Sequence, residues 1–245
     1  MKNTISMALM LASCGVAMGQ ITAVLNHFPS RSPEITIRND SAVSVTAFAV
    51  SMAPAAGGNE ARASFVYFAD AAVDADRGEI AYPLPIAPNQ EYAIPVPSGF
   101  RSGHAIDLFE PPVDTAAVFE DGSTSGDTSL LARLMARRGN QLQAVELARD
   151  ILTEAGKRNV PRTQLVEQFR TLADSVDHWY LPPEQRVGRG LYRSIAEKLA
   201  NLPTLQAGAA FPPAAFVEQE TALLNRQRTM LLEARPGLLQ AAGQR

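Results

Sequence analysis

Apolar and polar residues change rhythm once along this chain. Before about residue 127 they alternate within short runs, and turn signals separate the runs. After it they recur every three to four residues, the spacing of an amphipathic helix. Glu34-Ile35-Thr36-Ile37-Arg38 alternates as a half-buried strand does. Asn39-Asp40-Ser41 is a turn cluster. Val43 to Met52 follows, rich in β-branched residues and alternating at Val43, Val45 and Ala47. The two runs and the turn predict a hairpin. Phe65-Val66-Tyr67-Phe68 is a third strand and Glu79–Leu84 a weaker fourth. Tyr92–Val96 is a fifth, Ala105–Phe109 a sixth and Ala116–Phe119 a seventh. Pro83, Pro85 and Pro88 suit an edge or a loop, since proline donates nothing to a sheet ladder. Short strands at this spacing, with no helical pattern between them, predict an antiparallel sandwich of immunoglobulin-like type. The Cys and Trp hallmarks of antibody domains are absent, so any similarity is to the broader fibronectin type III kind of architecture.

In the second half, the stripe Leu131, Leu134, Met135, Leu142, Val145, Ala148, Ile151, Leu152 predicts one long helix. Asp127 or Thr128 is its cap, Gly139 a soft point and Gly156 its stop. A second helix opens near Pro161 with Leu165, Phe169, Leu172, Val176 and Trp179 inward. Pro182-Pro183 opens a third, with Val187, Leu191, Ile195 and Leu199 inward, and Pro203 stops it. Pro212-Pro213 opens a fourth, with Phe216, Leu223, Leu224, Met230 and Leu231 inward, ending at Pro236-Gly237. Four amphipathic helices with short connections predict a small bundle or orthogonal array. Such stripes are ordinarily core; a surplus apolar face would grip a partner.

The first residues read differently. Lys2, the apolar run Ile5–Leu11 and the small residues Ala17-Met18-Gly19 make the three-part pattern of a secretory leader, cleaved before Gln20. The run is shorter than the roughly 20 residues a spanning helix needs. A rival exists within the same address: Leu11-Ala12-Ser13-Cys14 resembles a bacterial lipobox, which would lipidate Cys14. Cys14 is the one cysteine, so its removal leaves a mature chain without thiol chemistry. The expected organisation is α+β in two domains. A signal peptide covers residues 1–19 and an Ig-like β-sandwich domain 20–126. An α-helical domain covers 127–236 and a flexible tail 237–245. The mature chain is expected to be periplasmic or secreted, with no transmembrane segment.

Charge supports the same division. The formal net charge is −3, which disfavours a general nucleic-acid binder. Residues 20–127 carry 14 acidic and 5 basic side chains, whereas 128–245 carry 11 and 16.

Candidate chemistry is thin. Gly122-Ser123-Thr124-Ser125-Gly126 has the spacing of a nucleophile elbow, but threonine stands at its centre and no parallel-sheet pattern precedes it. A turn capping the first helix is the better reading. Asp74, Asp76 and Glu79 around Gly78 suggest a weak calcium loop whose ligand spacing fails after two residues. Asp121, Ser123, Ser125 and Asp127 alternate without a closing ligand. His27, His104 and His178 are isolated, unlike zinc ligands. His178-Trp179-Tyr180 reads as a packed aromatic corner. Arg133, Arg137 and Arg138 on the first helix, and Arg186, Arg189 and Arg193 on the third, are faces that hold anionic lipid or phosphate if they are not merely solvated. Asn39-Asp40-Ser41 also matches a glycosylation acceptor. No catalytic, cofactor-binding or metal-binding residue, and no cofactor, is assigned.

The stretch Ala117-Val118-Phe119-Glu120-Asp121-Gly122-Ser123, then Gly126-Asp127 leading into a helix, resembles a segment of uncharacterised exported bacterial proteins. These pair a sandwich-like domain, opened by an I-x-N-x-S hairpin matched here by Ile37, Asn39 and Ser41, with a helical tail. The resemblance spans residues 35 to 138. It implies export and this architecture, and no activity, substrate or catalytic residue. The expected function is a non-catalytic exported protein that binds a protein or cell-envelope partner. The alternatives are an exported hydrolase with a spatially assembled carboxylate pair, and a peripheral envelope protein or lipoprotein.

Overall fold

A computed structural model describes residues 20–28, 31–54, 65–74, 84–95, 109–178, 180–203 and 211–234. Two antiparallel sheets fill the N-terminal half and helices the C-terminal half, an α+β arrangement. The first sheet is ordered β1-β2-β5, from β1 (Ile21–Phe28), β2 (Arg31–Asn39) and β5 (Glu91–Pro95). The second is ordered β4-β3-β6-β7, from β3 (Val45–Pro54), β4 (Phe65–Asp70), β6 (Phe109–Phe119) and β7 (Thr124–Gly126).

Period-two alternation puts Ile35, Ile37 and Ile94 of the first sheet into one apolar core with Phe48, Val50, Met52, Ala117 and Phe119 of the second. The expected hairpin does not form. β2 pairs with β1 and β5, while β3 pairs with β4 and β6. Residues 40–44 cross from one sheet to the other, and Asn39 makes the crossing. Its Nδ2 donates to the carbonyls of Val43 and Ile86, both at 2.9 Å, and its Oδ1 accepts from the Ser41 amide and hydroxyl. Asn39 is 0% exposed, so the folded chain offers no glycosylation acceptor there. A register shift between Val45 and Ala47 reverses the facing of β3. Val45 points into the inter-sheet core and Ala47 out of it, which the simple alternation missed. Residues 79–83 and 105–108, where two strands were expected, lie outside the described residues; Ile86 makes one bridge to Val45.

The outward positions of β3 and β6 are small: Ala47, Ala49, Ala116 and Val118. Small side chains let a helix approach closely. That helix is α2 (Thr128–Arg158), about 46 Å long at the α-helical rise. Leu130 and Leu134 sit on the sheet, while Leu142, Val145, Ala148 and Leu152 enter a second core. That core is shared with α3 (Arg162–Ser175), α4 (Arg189–Ala200) and α5 (Ala214–Glu233). Asp127 caps α2, its carboxylate accepting from the Leu130 amide at 2.9 Å. The helix runs past Gly156 and stops at Asn159, which takes the left-handed conformation at φ 53°. Gly156 instead admits the Val217 side chain of α5. Pro182-Pro183 opens only a 3-10 turn, Pro183–Gln185; α4 begins later, after Gly188.

Candidate functional site

The α-helical half leaves a groove between α4 and α5. Its volume is about 320 Å³, and Leu191, Ile195, Leu223, Leu224 and Met230 line it. The cause lies in the α5 sequence. Leu223-Leu224 and Met230-Leu231-Leu232 are adjacent apolar residues, and neighbours on a helix point about 100° apart. One core cannot take both members of such a pair. Leu224 and Leu231 are buried, while Leu223 is 38% and Met230 45% exposed, against the expectation that all four face inward. On the groove wall, the largely buried Glu220 receives both its carboxylate bonds from Lys198, at 2.8 and 3.0 Å. Arg226 lines the groove too, and among the described residues it makes no ion pair. The sequence placed these residues in the helical core and offered a partner-gripping face only in general terms; the adjacent leucines of α5 were the signal for where it lies.

The expected basic face of α2 is not a surface. Arg137 and Arg138 are buried against the end of β4 and the short helix α1 (Ala71–Asp74). Arg138, 1% exposed, holds Asp70 through Nε at 2.6 Å and Nη2 at 3.2 Å, and also donates to the Ala234 carbonyl at the end of α5. Arg137 holds Asp74 at 2.7 and 3.2 Å. The two carboxylates are linked in turn, since the Asp70 amide donates to Asp74 and the Ala72 amide to Asp70. Buried charge is tolerated only when paired in this way. Arg133 bonds Glu184 at 2.9 Å and lies over the Phe68 ring. Helical spacing showed these arginines as neighbours and could not show that Asp70 and Asp74, more than sixty residues upstream, would face them.

The remaining candidates dissolve into structural roles. Asp74 is committed to Arg137, and Asp76 and Glu79 lie outside the described residues, among which no cluster of metal-ligating side chains occurs. Asp121 accepts from the Ser123 amide and hydroxyl, which holds its carboxyl below the usual value. The Ser129 hydroxyl and Leu130 amide do the same for Asp127. Thr124, at the centre of the elbow-like motif, pairs with Val118 in an antiparallel strand and not at a strand-to-helix turn. Arg189 and Arg193 pair with Asp177 and Asp174, and Arg186 bonds the Leu181 carbonyl. His178 stacks on Tyr180 at 5.0 Å, and both are exposed; Trp179, the centre of the expected aromatic corner, lies outside the described residues. So do residues 1–19 with Cys14, and His104; nothing describes the side chain of His27. No helix among the described residues is long and apolar enough to cross a membrane. Comparison with family models, curated proteins and solved structures finds no match to this chain.

Proposed function

We propose that this chain is a non-catalytic exported protein whose helical half holds a segment of a partner protein. The observation that carries the reading is the α4–α5 groove, where Leu223 and Met230 stay in water on the face of α5 that the helical core leaves uncovered. Its volume of about 320 Å³ lies at the small end of the range of apolar ligand pockets. Arg226 gives the wall a positive charge with no ion pair among the described residues, and residues 128–245 carry a basic surplus. An amphipathic helix suits that chemistry, with apolar anchors one turn apart and an acidic residue opposite Arg226. Export rests on the leader pattern of Lys2, Ile5–Leu11 and Ala17–Gly19, with lipidation of Cys14 as the alternative processing. The two antiparallel sheets around one core support an immunoglobulin-like sandwich.

The test is site-specific photocrosslinking in cells that make the protein. A benzoylphenylalanine at Met230 is expected to give one discrete adduct, which Leu223→Lys abolishes. The same probe at Val24, exposed on the first sheet, is expected to give none. Adducts from Val24 alone, or none from Met230 in folded, exported protein, refute the reading.

A further inference from the structure

Among the described residues, one buried side-chain nitrogen has no hydrogen-bond partner: Nε of Arg189. Native proteins leave such groups rarely. The guanidinium is held from its other edge, where Nη2 meets Asp177 at 2.6 Å. Arg189 is the first residue of α4, and it borders a small hollow of about 20 Å³ with Gln141, Gly188, Gly190 and Leu191. Gln141, on α2, is 3% exposed, and its amide makes no hydrogen bond among the described residues. Gly188 supplies no side-chain cap to α4. The first intrahelical bond there runs from the Tyr192 amide to the Gly188 carbonyl, so the amides of Arg189, Gly190 and Leu191 precede it. Glycine is required at 188, because φ is 81° and a Cβ would stand 2.7 Å from that of Ala144.

The side-chain and helix-end groups here are mostly donors: a guanidinium N–H, the NH2 of Gln141 and the first amides at the positive end of a helix, with Gln141 Oε1 the acceptor among them. The nearby carboxylates, Asp177 and Asp74, are already engaged by Arg189 and Arg137. The volume admits about one oxygen atom. A water there could give one proton to Gln141 Oε1 and would leave its other proton without one of these groups to accept it, whereas an oxyanion accepts from all of the donors once Gln141 turns its NH2 inward. We propose that the hollow at the start of α4 is an oxyanion site, in which one oxygen of a carboxylate or phosphate is held between Gln141, Arg189 and the first amides of the helix.

The test is a two-dimensional amide titration of the full chain with sodium phosphate, and separately with sodium acetate, at fixed ionic strength set with chloride. Saturable shifts of the Gly190 and Leu191 amides are expected with at least one anion; which anion saturates distinguishes a phosphate from a carboxylate ligand. Gln141→Leu removes the amide. Arg189→Lys keeps the charge facing Asp177 and removes Nε. Each is expected to weaken binding about tenfold, while Arg186→Lys leaves it unchanged. Should a variant melt early, the wild-type titration decides alone. Linear, unsaturated shifts with both anions, or saturation equally strong in both variants, overturn the proposal.

Discussion

Replacing Asp70 by Asn leaves the Arg138 guanidinium buried without its counter-charge. Asn retains one oxygen for the Ala72 amide, so the change isolates the ion pair from the turn it caps. The pair is among the most enclosed in the chain, with side chains 1% and 0% exposed, and it is bidentate. Removing one partner of such a buried pair costs about 3–5 kcal/mol, because the remaining charge keeps its desolvation penalty. A domain of ordinary stability has about 5–15 kcal/mol in all, so the loss is a large share of the total. Arg138→Met alone is expected to be similarly costly, since it also strands the Ala234 carbonyl. The double variant Asp70→Asn, Arg138→Met removes both charges and should be more stable than either single one. The assay is urea unfolding of all four proteins, with free energies from linear extrapolation. A cost for Asp70→Asn below about 1 kcal/mol, the value of a surface pair, refutes the reasoning, as does a double variant no better than the singles.

Asn39→Ala should destabilise the fold by roughly 2–4 kcal/mol in the same assay, because a buried and a half-buried carbonyl lose their donor and Ser41 its acceptor. Burial pushes the Tyr192 hydroxyl up to about 12 from 10.0, so folding favours its neutral form. The contribution is whole below pH 10 and is lost as pH rises from 10 toward 12; phenolate absorbance should show a late-ionising component that Tyr192→Phe removes. Asp127 has its carboxyl lowered by the Ser129 hydroxyl and the Leu130 amide, so its contribution is present above its unfolded value and fades as pH falls through the folded one. Asp127→Ala should therefore lower the melting temperature at neutral pH and flatten its decline below about pH 4.

The switch of rhythm near residue 127 was legible because Asp127 both ends the strand region and caps α2. The stripes of α2, α3 and α4 were legible for the same reason that they bury: Leu165, Phe169, Leu191, Ile195 and Leu199 each fall on a single face. Partnering was not legible. The alternation of β2 and β3 is the same whether they pair or lie in opposite sheets, and only the buried hydrogen bonds of Asn39 decide. The arginines of α2 carry no local mark of burial, since their partners Asp70 and Asp74 are distant in sequence. α5 was over-read: its adjacent apolar pairs exceed what one core can cover, and Leu223 and Met230 line the groove instead. At Gly156 the helix continues because a glycine ends a helix only where the left-handed turn follows, and here that turn falls on Asn159.

Hydrogen exchange on the isolated complex, compared with the free chain, bears most directly on the groove. Slowed exchange confined to residues 191–198 and 220–230, the stretches that line it, is the predicted footprint. Protection on the outer face of β1, β2 and β5, with α4 and α5 exchanging as in the free chain, contradicts it.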